Sequence, residues 1–127
     1  KFGGRFQRAH KMAESSNYGN FRHGAILVNG GRTISIGYNE DKYCSMAVPY
    51  RNKLKGIATY HAELSALVNL APEAVRGGTM FVARAAKNTG ELRMSKPCQM
   101  CHNYMSDYGL KQVYYTIDEE YIGTYKF

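Results

Sequence analysis

At 127 residues, 44% of them hydrophobic and 21% charged, the sequence is long enough to bury most of one core and too apolar to stay disordered. That length suits a single domain over 1–127, no apolar run approaches a membrane span and no secretory leader pattern opens it. The three cysteines, two of them in C-x-x-C, read as metal binding and not as a disulfide framework, so a reducing, cytoplasm-like compartment is expected. The formal net charge of +7 leaves two readings open: a solvated basic surface, or attraction to the phosphate of a nucleotide or nucleic acid.

Residues 4–16 place Phe6, Ala9 and Ala13 at three- and four-residue spacings among Arg5, Arg8, Lys11 and Glu14, the pattern of an amphipathic helix. His10 lies at the edge of its apolar stripe and reads as structural. The apolar run Gly24 to Val28 leads into Asn29-Gly30-Gly31 and then Thr33 to Tyr38. The Asn-Gly pair favours a tight type I′ turn, which makes these two strands an antiparallel hairpin. Residues 40–60 mix Lys42, Arg51, Lys53 and Lys55 with Tyr43, Pro49, Tyr50 and Gly56. They show no sustained period and read as a loop of the kind that is either a functional lid or disordered, with a plain solvated loop as the third reading. Ala62 to Leu70 repeats Leu64, Leu67 and Val68 at helical spacing, and Pro72 ends that helix. Thr79 to Ala83 is an unbroken apolar strand of the sort covered on both faces. Residues 85–96 read as a polar loop, Pro97 as the first residue of a third helix, and Gly109 as its cap. Gln112 to Thr116 supplies a fourth strand, and Gly123 to Phe127 fits a short antiparallel edge strand. The order α-ββ-α-β-α-β implies a three-layer α/β/α sandwich, in which a hairpin and two right-handed crossovers build a mixed sheet.

The chemistry sits at the helix starts. His61-Ala62-Glu63 and Pro97-Cys98-Gln99-Met100-Cys101 read H-x-E followed by P-C-x-x-C. His61, Cys98 and Cys101 are three good zinc ligands. A structural zinc site is closed by four protein ligands, whereas a catalytic site leaves one position to water. Cysteines three apart on a helix share a face, and a helix start favours their thiolates. Glu63 is the carboxylate placed to move protons. A closed site would need a fourth ligand, for which Cys44 and His102 are the candidates; His102, directly after Cys101, is expected to turn away. His23 reads as a core or supporting histidine. Tyr60 is a candidate base-stacking residue.

On these residues the chain resembles the cytidine/deoxycytidylate deaminase superfamily, most closely its CMP/dCMP-type domains. The likeness extends to His23-Gly24-Ala25-Ile26-Leu27-Val28 and Gly37-Tyr38-Asn39. It implies one Zn2+ per chain and hydrolytic deamination of a cytosine nucleoside or nucleotide, with Glu63 as the proton shuttle. It also implies that Asn39 reaches the base or sugar, that the backbone N–H of Ala62 holds the pyrimidine carbonyl, and that the chain forms a homo-oligomer. A purine, or a base in single-stranded DNA or RNA, is the alternative substrate. The basic 40–60 loop and Arg93 would serve either a 5′-phosphate or a strand. A zinc-stabilised nucleic-acid-binding module without catalysis is the non-enzymatic alternative, and the intact Glu63 argues against it.

Overall fold

The computed structural model describes residues 3–14, 22–43, 59–68, 70–87 and 89–127, with the side chains of 40–43, 59 and 60 left aside. Its central sheet has six strands. β1 (Arg22–Asn29) and β2 (Arg32–Tyr38) form the expected antiparallel hairpin. β5 (Thr79–Ala85) lies antiparallel to β1 and parallel to β7 (Gln112–Thr116), and β8 (Ile122–Lys126) returns antiparallel beside β7. The order is β2-β1-β5-β7-β8, with the two-residue β6 (Leu92–Arg93) also paired to β5. β3 (Glu40–Tyr43) and β4 (Thr59–Tyr60) make a separate two-stranded ladder.

Helices cover both faces. α1 (Gly4–Glu14) packs Phe6 and Ala9 on Ile26, Val28, Phe81 and Ala83. Phe81 sits in the middle of an aromatic series, edge-on to Phe6 at 5.4 Å and stacked on Tyr114 at 5.1 Å. α2 (Ala62–Leu67), the single turn α3 (Pro72–Val75) and α4 (Gln99–Asp107) close the other face. There Leu64, Leu67, Val75, Tyr104 and Met105 pack on Ala25, Leu27, Met80, Val82 and Val113. This is the three-layer α/β/α sandwich with a mixed sheet that the element order implies. Among the described residues no helix is long and apolar enough to cross a membrane.

Several boundaries differ from the sequence pattern, each for a local reason. The centre of the β1–β2 turn is Gly30-Gly31, both with positive φ, because Asn29 is still paired with Arg32. Asn29 instead uses its side-chain amide to hold Ala74 and Arg76 carbonyls. The segment expected to be one helix to Leu70 stops at Leu67, and Pro72 opens α3, since proline suits a first turn better than an interior. Pro97 lies before α4 and not in it, because Cys98 keeps an extended backbone (φ −71°, ψ 169°) as N-cap. His23 lies within β1 and not ahead of it. The polar 85–96 segment contains β6, and the 40–60 segment is pinned at its ends by β3 and β4, while 44–58 fall outside the described residues. Two- and four-residue strands leave too little pattern to read.

Gly37 decides how close α2 comes to the sheet. A Cβ there would stand 2.6 Å from the Ala62 carbonyl oxygen and 2.6 Å from the Ala66 nitrogen, both backbone atoms of α2. Backbone cannot step aside as a flexible side chain can. Gly37→Ala is therefore expected to destabilise the chain by about 2–3 kcal/mol and to lower its retained zinc, measured by chemical denaturation and metal analysis on the same preparation.

Candidate metal centre

The two sequence clusters meet. His61 is the N-cap of α2, with φ −78° and ψ 159°, and Cys98 is the N-cap of α4. Both residues hand their carbonyls to the helix that follows: Ser65 N–H donates to His61 and His102 N–H donates to Cys98, each at 2.9 Å. Their side chains are left to point off the helix ends. His61 Nδ1 stands 3.3 Å from Cys101 Sγ and 3.7 Å from Cys98 Sγ, and the three donor atoms all lie within 4.8 Å of one another.

These separations can be tested against a metal. Zn–S bonds of about 2.3 Å and Zn–N bonds of about 2.0–2.1 Å at tetrahedral angles put sulfur and nitrogen about 3.5 Å apart. The observed pair of distances falls on either side of that value. The donor chemistry agrees. Cys98 is drawn down to about 3, first by its hydrogen bond from the Cys101 thiol and then by His61 and the Cys101 backbone N–H, against the effect of burial. It is thus a thiolate at neutral pH. His61 is held above its usual value: burial opposes the charged ring, and the Cys98 hydrogen bond together with the Glu63 and Cys98 charges outweighs it. These three donors fit a zinc ion and, among the described residues, leave one position open.

Glu63 sits on the first turn of α2 and is only 4% exposed. Burial pushes its carboxyl up to about 7, while the His61 charge and a hydrogen bond with Cys101 pull the other way. A cation held by the three donors would favour the ionised form. Asn39 is buried just beyond β2 and is fixed through two bonds with β1. Its Oδ1 accepts from the His23 N–H at 2.8 Å, and its own N–H donates to the His23 carbonyl at 3.3 Å. Ala62, the first residue of α2, carries one of the N–H groups that no intrahelical carbonyl can satisfy.

Other candidates separate from the centre. His102 turns to β8, with Nδ1 3.2 Å from the Tyr125 hydroxyl and its ring 5.1 Å from that of Phe127. His10 bonds the Gly90 carbonyl at 2.6 Å. Cys44, Arg51, Lys53 and Lys55 lie outside the described residues.

Two positioning residues carry no motif. Ser95, 2% exposed, and Thr116, fully buried, tie the end of β6 to the end of β7. The hydroxyls lie 2.9 Å apart; Ser95 Oγ accepts the Thr116 N–H at 2.8 Å and approaches the Val82 carbonyl at 3.1 Å. Thr116 Oγ1 donates to the Arg93 carbonyl at 2.8 Å. The knot stands three residues before Cys98, so it sets where that ligand leaves the sheet. Its members are 21 residues apart and only the folded sheet brings them together.

The fold and the three-donor centre together define a zinc deaminase architecture. The model of the cytidine and deoxycytidylate deaminase zinc-binding region matches residues 5–117, and the chain belongs to that family. The dCMP deaminase of the cyanophage S-TIM5 is similar in its apo form, with 24% identity, a TM-score of 0.63 and coverage of 89% of this chain and 79% of that one. Its complex with dCMP and dUMP gives 25% identity, a TM-score of 0.59 and coverage of 87% and 76%. The cytidine deaminase of Burkholderia pseudomallei gives 23% identity, a TM-score of 0.65 and coverage of 96% and 89%. No curated protein sequence matches the chain.

Thr116→Val removes the hydroxyl while keeping the shape, which leaves buried partners unsatisfied at a cost of about 1–3 kcal/mol. The expected result is a lower melting temperature and faster zinc loss to a chelator, with Thr116→Ser restoring both.

Proposed function

We propose that this chain, as a single domain over 1–127, deaminates a cytosine nucleoside or nucleotide by hydrolysis, giving the uracil product and ammonia. The observation that carries the reading is the meeting of His61, Cys98 and Cys101 at one point with Glu63 buried beside them. The family match over most of the chain supports it, as does the likeness to a phage enzyme whose complex holds dCMP and dUMP.

His61, Cys98 and Cys101 would hold the zinc, with two thiolates and a neutral ring as donors. When bound, zinc lowers the pKa of a coordinated water from ~15.7 to ~7. Glu63 accepts a proton from the attacking water and delivers it to N3 of the cytosine ring. It then takes the proton of the hydroxyl added at C4 and passes it to the exocyclic amine, and the C4–N bond breaks as ammonia leaves and the C4 carbonyl forms. Burial of Glu63 keeps bulk water from supplying those protons. Asn39, locked to His23, offers a fixed contact for the base or sugar at the end of β2. The backbone N–H of Ala62, at the first turn of α2, would hold the pyrimidine carbonyl.

Glu63→Gln is expected to retain zinc and to lose ~10²–10⁴ in turnover, scored by ammonia release from deoxycytidine and dCMP. Wild-type rates would sink the assignment. Cys44→Ser separates the open centre from a closed one: it should leave one zinc per chain in place, whereas Cys101→Ala should remove it. Loss of metal in Cys44→Ser would favour four protein ligands.

A further inference from the structure

β8 is the last strand of the sheet, and among the described residues no strand lies beyond it. Two bonds at its ends define its hydrogen-bonding phase. Phe127 N–H donates to the Lys111 carbonyl at 3.1 Å, and Ile117 N–H donates to the Tyr121 carbonyl at 3.0 Å. Both follow the register that pairs Gln112 with Lys126 and Thr116 with Ile122. Hydrogen-bonded pairs alternate along an antiparallel ladder, so Tyr121, Gly123, Tyr125 and Phe127 turn their backbone groups to β7. Ile122, Thr124 and Lys126 turn theirs outward.

Edge strands are usually blunted by a bulge, a proline or a row of charges. β2, at the opposite edge, has such a bulge, since its register with β1 shifts between Leu27 and Val28. β8 pairs with β7 without a shift, contains no proline and carries one charge, Lys126 at its last position. Apolar surface gathers there as well. Tyr121, Ile122 and Phe127 are three of the five large hydrophobic side chains exposed among the described residues, at 63%, 37% and 36%. An edge that faces water carries the opposite composition.

A second copy of the chain is the partner that fits. Two β8 strands related by a two-fold axis run antiparallel, and residues with outward backbone groups must meet one another. With the axis at Thr124, that residue meets its own copy, and Ile122 meets Lys126 of the second copy. The other set of side chains lies toward α4, because Tyr125 stands opposite Val113 of the core that α4 covers. On that face Tyr121 meets Phe127 of the second copy, twice by symmetry, and cross-strand aromatic pairs stabilise a sheet. Phe127 already stacks on His102 at 5.1 Å and stands edge-on to Tyr125 at 5.4 Å, so the added ring extends an existing cluster. Charge is self-complementary too. The chain enters β8 through Asp118-Glu119-Glu120 and leaves it through Lys126, so antiparallel pairing sets the acidic end of one copy beside the basic end of the other.

We infer that β8 is a self-pairing edge, through which two copies of the chain join their sheets into one across a two-fold axis at Thr124. A five-residue edge is small beside a standard interface, so the dimer is expected to dissociate on dilution. Sedimentation equilibrium of the zinc-loaded chain over a concentration series measures this. Thr124→Pro removes one outward N–H and leaves the ladder to β7 intact, as an edge strand permits. Ile122→Lys, at an exposed position that spares the fold, sets like charges opposite each other at two symmetric places. Each substitution is expected to weaken dimerisation about tenfold or more. Ile122→Lys combined with Lys126→Glu sets opposite charges in register and is expected to regain the dimer. The inference is overturned by a chain that is monomeric at every concentration or by a dimer that neither substitution weakens. A double variant no better than Ile122→Lys alone overturns the register.

Discussion

At Gly37 the backbone of α2 rests directly on β2, with no side chain between them. That contact sets the height of the first turn of α2 above the sheet, and the first turn carries both His61 and Glu63. The second height is set by the Ser95–Thr116 knot, which fixes the chain three residues before Cys98. Neither device contains a metal donor. Yet the 3.3 Å and 3.7 Å separations around His61 Nδ1 depend on both, since a shift of half an ångström in either helix would take the donors out of bonding range of one ion.

Bringing two helix starts together has an electrostatic cost, because each presents unpaired N–H groups and a partial positive charge. The residue types at the junction answer it. Cys98 is a thiolate well below its ordinary range, and Glu63 offers a carboxyl in the same space. Negative donors thus serve twice, holding a cation and neutralising the ends of the helices that position them. The short length of α2, six residues, keeps its own share of this field small and makes the side chains the larger contribution.

Much of this was legible in the sequence because it is local. H-x-E and P-C-x-x-C are short patterns, the amphipathic spacing of Phe6, Ala9 and Ala13 marks a helix face, and the apolar run at Thr79 marks the central strand. The family likeness, with its matching fold, follows from the same residues. What stayed hidden is non-local. β6 is two residues long and exists only because β5 offers it an edge. Ser95 and Thr116 are ordinary polar residues until the sheet makes them neighbours. Which residues of β8 face its outer edge is a matter of register, and no single segment encodes register.

The knot between β6 and β7 also separates two kinds of change. The described residues 86, 87 and 89–91 lie at the surface ahead of it, held by Arg22 at the Ala86 and Lys87 carbonyls and by His10 at Gly90. Whatever length that stretch takes, the chain must pass through Ser95 before it reaches Pro97. Residues added within it would be absorbed there, as surface loops absorb insertions, and the cysteines would keep their place. The fold thus carries a built-in location for lengthening beside α1, separated from the metal donors by the knot.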